Sequence, residues 1–295
     1  MRAVSTVLDT GLFLLLVGAA MLTLTLPVGT LPTADAAVAD GTGDVIATTT
    51  ADVRYTLAPG GSEVNGSVVA FPDASGPGFR RTAHGTLATH LAAAAVASLT
   101  VGGERVSHSR DGFRDAVRNA TAAAVRNRDQ LVRVRAVWRP YPGAPVRGVV
   151  HVGPRPPPSV AVHTATLTVD SGLPATRGAA VAAAASGGYQ AVGRTVSRHV
   201  VAGLFPPNAT RSALLGDYPT EHLAASRYHR LAAALGANLG SAVRRDDPAS
   251  ANTALTSALG ARFAADMRER FRSPAAAANR VAVGTVRITV RTWSP

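Results

Sequence analysis

The chain has no cysteine and no lysine, few aromatic residues and only four glutamates. Each shortage removes some chemistry. Without cysteine there is no disulfide, no thiolate nucleophile and no Cys-ligated zinc. Without lysine there is no Walker-type phosphate loop, no Schiff base and no Ser-Lys dyad. The glutamates, Glu63, Glu104, Glu221 and Glu269, stand far apart, and no spaced carboxylate pair offers the acid and base of a glycoside hydrolase. Aromatics make up 5% of a chain that is 46% hydrophobic, so its core must come from closely packed alanine-rich helices and valine-rich strands rather than from large rings. With 295 residues, one large domain and a terminal segment can be accommodated.

Arginine is what the chain has instead. All 30 basic residues are arginine, and against 18 acidic residues they leave a net charge of +12. A guanidinium fork binds phosphate, sulfate and carboxylate bidentately, which makes anionic glycans, lipid headgroups and nucleic acid the partners to weigh. The charges are dispersed: the densest run is Arg126, Arg128, Arg133, Arg135 and Arg139, with no continuous basic block, which argues against nucleic acid.

Residues 10–28, TGLFLLLVGAAMLTLTLPV, carry no charge. As a helix they would span about 27 Å, close to the ~30 Å hydrocarbon core of a bilayer. Arg2 and the α-amino group lie before this segment and Asp35, Asp40 and Asp44 after it, so the positive-inside rule places the start in the cytoplasm and the rest outside the cell membrane. The expected division is a membrane anchor over 1–28, a linker over 29–50 rich in Ala, Thr, Gly and Asp, and an exported domain over 51–295. A cleaved signal peptide is the rival reading, because Ala34-Asp35-Ala36 puts small residues where signal peptidase reads them; cleavage near Ala36 would secrete the domain. Lipid gives helices no hydrophobic reason to associate, so contact there must use small residues and satisfied polar groups. Gly11, Gly18 and Ala19, with Asp9 and Arg2 at the cytoplasmic edge, are the residues expected to serve.

Along the domain, 53–57 and 67–71 read as strands around a Gly-Gly-Ser-Glu-Val-Asn-Gly turn cluster, and 82–101 and 109–126 as helices. The run LVRVRAVW over 131–138 alternates, sending Val132, Val134, Ala136 and Trp138 one way and Arg133 and Arg135 the other, as a half-buried strand does. Further strands are expected at 148–152 and 160–169. Helices are expected at 175–204, 220–243 and from Pro248 onward, the last with Asp247 as N-cap and a Leu255, Leu259, Phe263, Met267, Phe271 stripe that Pro274 closes. The segment 281–293 alternates again and must pair with the earlier strands. Strands, then helices, then a returning strand predict an α+β fold in which an antiparallel sheet packs against several helices, preceded by the N-terminal transmembrane helix.

Arg2-Ala3-Val4-Ser5, followed by a short aliphatic run and the long apolar segment, resembles the mature N-terminus of archaeal, particularly haloarchaeal, type IV pilin-like proteins. The resemblance is confined to that terminus. It implies an uncharacterised membrane-anchored surface protein of that lineage, with pilin-like or secretion-system membrane proteins as partners. It also implies a role for Asp9 like that of the acidic residue near the start of pilin helices, which meets a neighbouring subunit's terminal amine.

Catalytic signals are weak. His84 with His90, and His222 with His229, miss the i, i+4 spacing that aims two imidazoles at one ion from a helix. Asp170-Ser171-Gly172 lacks the Gly-x-Ser-x-Gly setting of a nucleophile and reads as a turn. Neither a cofactor nor a metal is called for. Three N-x-S/T sequons, at Asn65, Asn119 and Asn208, are compatible with surface glycosylation; Asn119 falls mid-helix, whereas Asn65 and Asn208 are expected in loops. The expectation is a non-enzymatic, single-pass surface protein, an accessory or minor subunit of a pilus-like or secretion-associated assembly. The alternative is an anchored receptor whose arginine-bearing sheet face holds an anionic glycan or lipid.

Overall fold

The computed structural model describes residues 34–57, 71, 76–126 and 129–295. It has an α+β fold with antiparallel sheets and several helices. In chain order the elements are α1 (Ala34–Thr48), β1 (Thr50–Thr56), β2 (Arg80–Thr86), α2 (Leu87–Ala97), β3 (Leu99–Val101), β4 (Glu104–Arg105), α3 (Asp111–Ala124), β5 (Leu131–Trp138), β6 (Val146–Val152) and β7 (His163–Asp170). There follow α4 (Arg177–Leu204), α5 (Pro207–Leu214), α6 (Thr220–Leu235), α7 (Pro248–Arg270), α8 (Pro274–Asn279) and β8 (Thr285–Trp293). The main sheet has six strands in the order β4-β3-β6-β5-β8-β7, and β1 and β2 form a separate antiparallel ribbon.

The alternation in 131–138 and in the last segment does what it predicts. Val132, Val134, Ala136 and Trp138 of β5, and Val286, Ile288 and Val290 of β8, turn inward and are buried. β8 lies between β5 and β7, so the C-terminal strand is internal to the sheet. Residues 281–284 add a buried approach in which the Val283 carbonyl accepts hydrogen bonds from Trp138 Nε1 at 2.8 Å and Ser171 Oγ at 2.9 Å.

Helix α2 covers the inner face. Seven of the eleven residues of LATHLAAAAVA are buried, on more than one side of the helix, and Thr86 caps it by accepting from the Thr89 amide at 3.2 Å. Alanine and glycine set the spacing: a Cβ on Gly148 of β6 would fall 1.8 Å from the Ala95 carbonyl oxygen, so helix and strand backbones meet there without intervening side chains.

Several boundaries differ from expectation. Residues 34–48, expected within the linker, form α1, which packs on β7 and β8. Their Ala, Gly and Asp content suits a tether, but Ala39, Gly43 and Ile46 recur on one face and are buried, and a Cβ on Gly43 would lie 3.5 Å from Leu167 Cδ2. Burying Ile46 alone contributes about 1.5–3 kcal/mol. Within 82–101, residues through Thr86 extend as β2 against β1 before the helix starts, and Leu99–Val101 is strand β3. The helix expected over 220–243 stops at Leu235, where Gly236 takes a left-handed cap at φ 66°. In α4 the pair Gly187-Gly188 breaks the helical path, with Gly188 at φ 61°, and at Gly193 the helix approaches α7 closely: a Cβ there would lie 2.7 Å from the Gly260 carbonyl oxygen. Pro274 closes α7 and also begins α8. The strand expected at 67–71 lies, but for Phe71, outside the described residues, as do 1–33.

Helices α4 to α8 form a second layer at one end of the sheet, with α4 against α7 and α8. Tyr141, just beyond β5, joins the two by edge contacts to Phe263 at 5.4 Å and Phe271 at 6.1 Å. Among the described residues no helix is long and apolar enough to cross a membrane.

Candidate anion-binding face

Inward valines on an antiparallel sheet fix what points the other way. On the outer face β5 presents Arg133 and Arg135, β6 presents Arg147 and His151, and β8 presents Arg287 and Arg291. Register aligns them: Arg133 lies opposite Arg291, Arg135 opposite both His151 and Thr289, and Arg287 opposite Thr168. Hydroxyls fill the gaps, with Thr164, Thr166 and Thr168 on β7 and Thr285 and Thr289 on β8. Arg139 and Arg155 flank the face and are exposed.

These guanidinium groups lack internal compensation. Among the described residues none of Arg133, Arg135, Arg147, Arg287 and Arg291 forms an ion pair, and Arg133 has only the Gly153 carbonyl, 3.0 Å from its Nη1. Burial first, then Arg155 and Arg291, draw the Arg133 pKa below its ordinary value. Burial, then Arg139, Arg291, Arg147 and Arg133, do the same to Arg135. His151 is likewise held below the usual imidazole range, by burial and then by Arg133 and Arg135. Burial leads in all three, and the neighbouring arginines add to it in the same direction.

Where the face meets the helical layer, a groove of about 610 Å³ opens. Arg135, Arg139 and Arg287 enter it from the sheet side, and Arg177 and Arg280 from the ends of the helical layer, with Asn279, Thr168 and Thr289 as neutral donors; no carboxylate lines it. Arg177 is braced by donating from Nε to the Val281 carbonyl at 3.0 Å. Five converging forks and several hydroxyls suit an oxyanion-bearing ligand, held by charge-assisted hydrogen bonds. The lining offers binding groups and no nucleophile–base pair.

Other expected sites fall elsewhere. Arg2, Asp9, Gly11, Gly18, Ala19 and Asn65 lie outside the described residues. Asn119 is exposed in the middle of α3. Asn208 is exposed but not in a loop: Pro206 and Pro207 preset the first turn of α5, which takes Asn208 into the helix and buries Thr210 of the same sequon. Ser171 is the turn residue expected, its Oγ engaged with Val283. His84 pairs with Asp52 at 2.6 Å and His222 with Glu221 at 2.7 Å. Among the described residues, no group of three His, Cys, Asp or Glu could hold a metal ion.

Sequence reasoning found Arg133 and Arg135 on the outward face but not the groove. The alternation of 285–293 carried the signal for Arg287 and Arg291. Arg177, Asn279 and Arg280 had none, because the fold alone brings them to the end of the sheet.

The chain matches DUF7284, a family of unknown function, over residues 8–293, and it belongs to that family. No curated protein and no solved structure matches it.

Proposed function

We propose that this member of the DUF7284 family is a membrane-anchored, exported protein that binds an anionic glycan or lipid headgroup on the arginine face of its sheet, acting as a binder rather than an enzyme. The groove lined by Arg135, Arg139, Arg177, Arg280 and Arg287 without a carboxylate is the observation that carries this reading. A sheet needs β-branched residues on an outer face, and threonine already supplies them here; arginines set opposite one another weaken the pairing instead. A polyanion neutralises that repulsion while gaining several charge-assisted contacts at once. The uncharged run 10–28, with Arg2 before it and aspartates after, supports the anchor and the outside location. Secretion by cleavage near Ala36 would cut in the first turn of α1.

The test uses the full chain in nonionic detergent, applied to a sulfated polysaccharide matrix and mixed with vesicles containing anionic lipid. Wild type binds one or both in a salt-sensitive way, and Arg135→Thr/Arg287→Thr loses roughly tenfold or more in affinity, as expected for two lost charge-assisted contacts. Equal binding by the double variant sinks the reading.

A second reading, an accessory or minor subunit of a pilus-like or secretion-associated assembly, is favoured by α1. Only residues 29–33 separate the apolar segment from a helix seated on the sheet's inner face, so an anchor formed by that segment would be joined to the domain by five residues. Contacts by Arg2, Asp9, Gly11, Gly18 and Ala19 in the membrane would then orient the domain among pilin-like partners. Crosslinked partners recovered with wild type should diminish with Asp9→Ala; equal recovery removes this role.

A further inference from the structure

A second, smaller pocket shares no lining residue with the groove. It has a volume of about 210 Å³ and sits between the loop that leads from β4 into α3, the C-terminal end of α4 and the body of α6. Its walls are about equally apolar and polar: Leu99, Val106, Phe205 and Leu231 line one part, and two arginines, Arg227 and Arg110, reach it. No carboxylate lines it.

Arg227 is the unusual member. It is partly buried on α6, and its hydrogen bond is a long one, Nη2 to the Leu204 carbonyl at 3.4 Å. Its guanidinium lies over the Phe205 ring at 5.2 Å. That ring is fixed from behind, stacked on Tyr228 at 4.1 Å, while Asn252 accepts from the Tyr228 hydroxyl at 2.8 Å and donates to the Phe205 carbonyl at 2.9 Å. The cation is therefore held in place by a rigid aromatic shelf. Burial, then the like charge of Arg110, lowers its pKa to about 10, so it stays protonated near neutrality. Arg110 is exposed at the rim, over Phe113 at 5.3 Å and 3.4 Å from the Tyr55 hydroxyl. Among the described residues neither arginine has a carboxylate within ion-pair distance. Ser107 and Ser109, whose hydroxyls stand 2.9 Å apart, add neutral polar groups to the same wall.

A partly buried cation retained without an acidic partner, at a cavity with an apolar wall, has room and charge for an anion. We propose that this pocket binds a small amphipathic oxyanion, its carboxylate or phosphate head held by Arg227 and Arg110 and its short apolar tail lying against Leu99, Val106, Phe205 and Leu231. The volume limits the tail, since drug-sized ligands take pockets of roughly 300–1,000 Å³. Free acids and the ends of phosphorylated lipids share this chemistry.

Thermal unfolding and calorimetric titration of the full chain in nonionic detergent, with hexanoate and hexyl phosphate as probes, test the assignment. At least one probe should bind and raise the melting temperature, and hexanol and hexylammonium should not; which anion binds better identifies the head group. Arg227→Met keeps the stem and removes the charge, and it should weaken binding roughly tenfold, as loss of a charge-assisted hydrogen bond does. Should that variant fold poorly, Arg110→Gln at the rim is the substitute, with a smaller loss in the same direction. Hexanol stabilising as much as hexanoate, no binding of either anion, or undiminished binding by the variants overturns the proposal. Retention on the sulfated matrix should be unchanged in Arg227→Met, so this pocket and the sheet face stand or fall separately.

Discussion

Replacing Arg291 by threonine should make the domain more stable and a poorer binder of polyanions. Arg291 is exposed on β8, opposite Arg133 and beside Thr164, and it has no ion pair among the described residues. Its charge contributes to the lowered pKa of both Arg133 and Arg135, behind burial in each case. Like charges opposed across a strand pair cost about 0.2–1 kcal/mol, and water and salt on an open face place each such repulsion near the lower end. Relief from two neighbours then sums to about 0.4–0.6 kcal/mol, to which threonine's fitness for a strand adds a little. For a domain of this size that corresponds to a rise of about 1–2 °C in melting temperature.

Calorimetry at low and high ionic strength reads the effect. Wild type should gain more than the variant from added salt, because screening removes the same repulsion that the substitution removes. Binding to a sulfated polysaccharide should fall roughly fivefold for about 1 kcal/mol of lost attraction. A lower melting temperature with unchanged salt response would show that Arg291 holds the sheet together, and the argument for a face strained by its own charge would fail.

Truncation after Arg280 removes β8 from between β5 and β7 and with it the buried Val286, Ile288 and Val290, so the product should be insoluble or rapidly proteolysed; a cooperative melt near the full-length temperature refutes this. Acidification should destabilise the domain. His151, His199 and His229 all have pKa values lowered in the fold, chiefly by burial and then by nearby arginines. Below about pH 6.5 the unfolded chain therefore binds more protons than the folded one, and stability rises with pH through that window and is lost as pH falls. Melting temperatures between pH 7.5 and pH 5, on the order of one transition width around the imidazole range, should decline more in wild type than in His151→Gln. A bound polyanion should reduce the decline by favouring the charged imidazole, and a pH-independent melt contradicts the lowered values.

Legibility in the sequence followed the range of the interactions that fix each element. The strand at 131–138 could be read because its partners on either side, β6 and β8, demand the same two-residue alternation that the run displays. Helix α7 could be read because its start is set within a turn, by Asp247 accepting from the Ser250 amide at 3.0 Å and by Pro248. Helix α1 could not: its own residues favour a tether, and only Leu167 and Ala165 of β7, far along the chain, give Gly43 a surface to rest on. Residues 82–86 misled for the same reason, since the register with β1, Thr82 opposite Arg54 and Thr86 opposite Thr50, overrides an Ala- and Leu-rich neighbourhood.

The two proposed binding regions divide along the same line. An outward arginine on a strand is announced by its inward neighbours, so Arg133 and Arg135 could be assigned to a face before any fold was known. The groove needs Arg177 and Arg280 brought to the sheet's end by the contact of α4 with α8, and the smaller pocket needs Arg227 of α6 beside Arg110 before α3. Convergence of that kind has no local signature. In a chain whose basic residues are all arginine, composition raises the question of an anionic partner, while the fold decides which arginines converge and which are paired with carboxylates. Arg270, bound to Asp266 at 2.8 Å, and Arg114, bound to Asp111 at 3.1 Å, are neutralised within the fold. The arginines of the sheet face, and Arg227 with Arg110, have no such partner among the described residues, and it is their convergence on the groove and on the smaller pocket, rather than the net charge, that singles them out as the proposed binding groups.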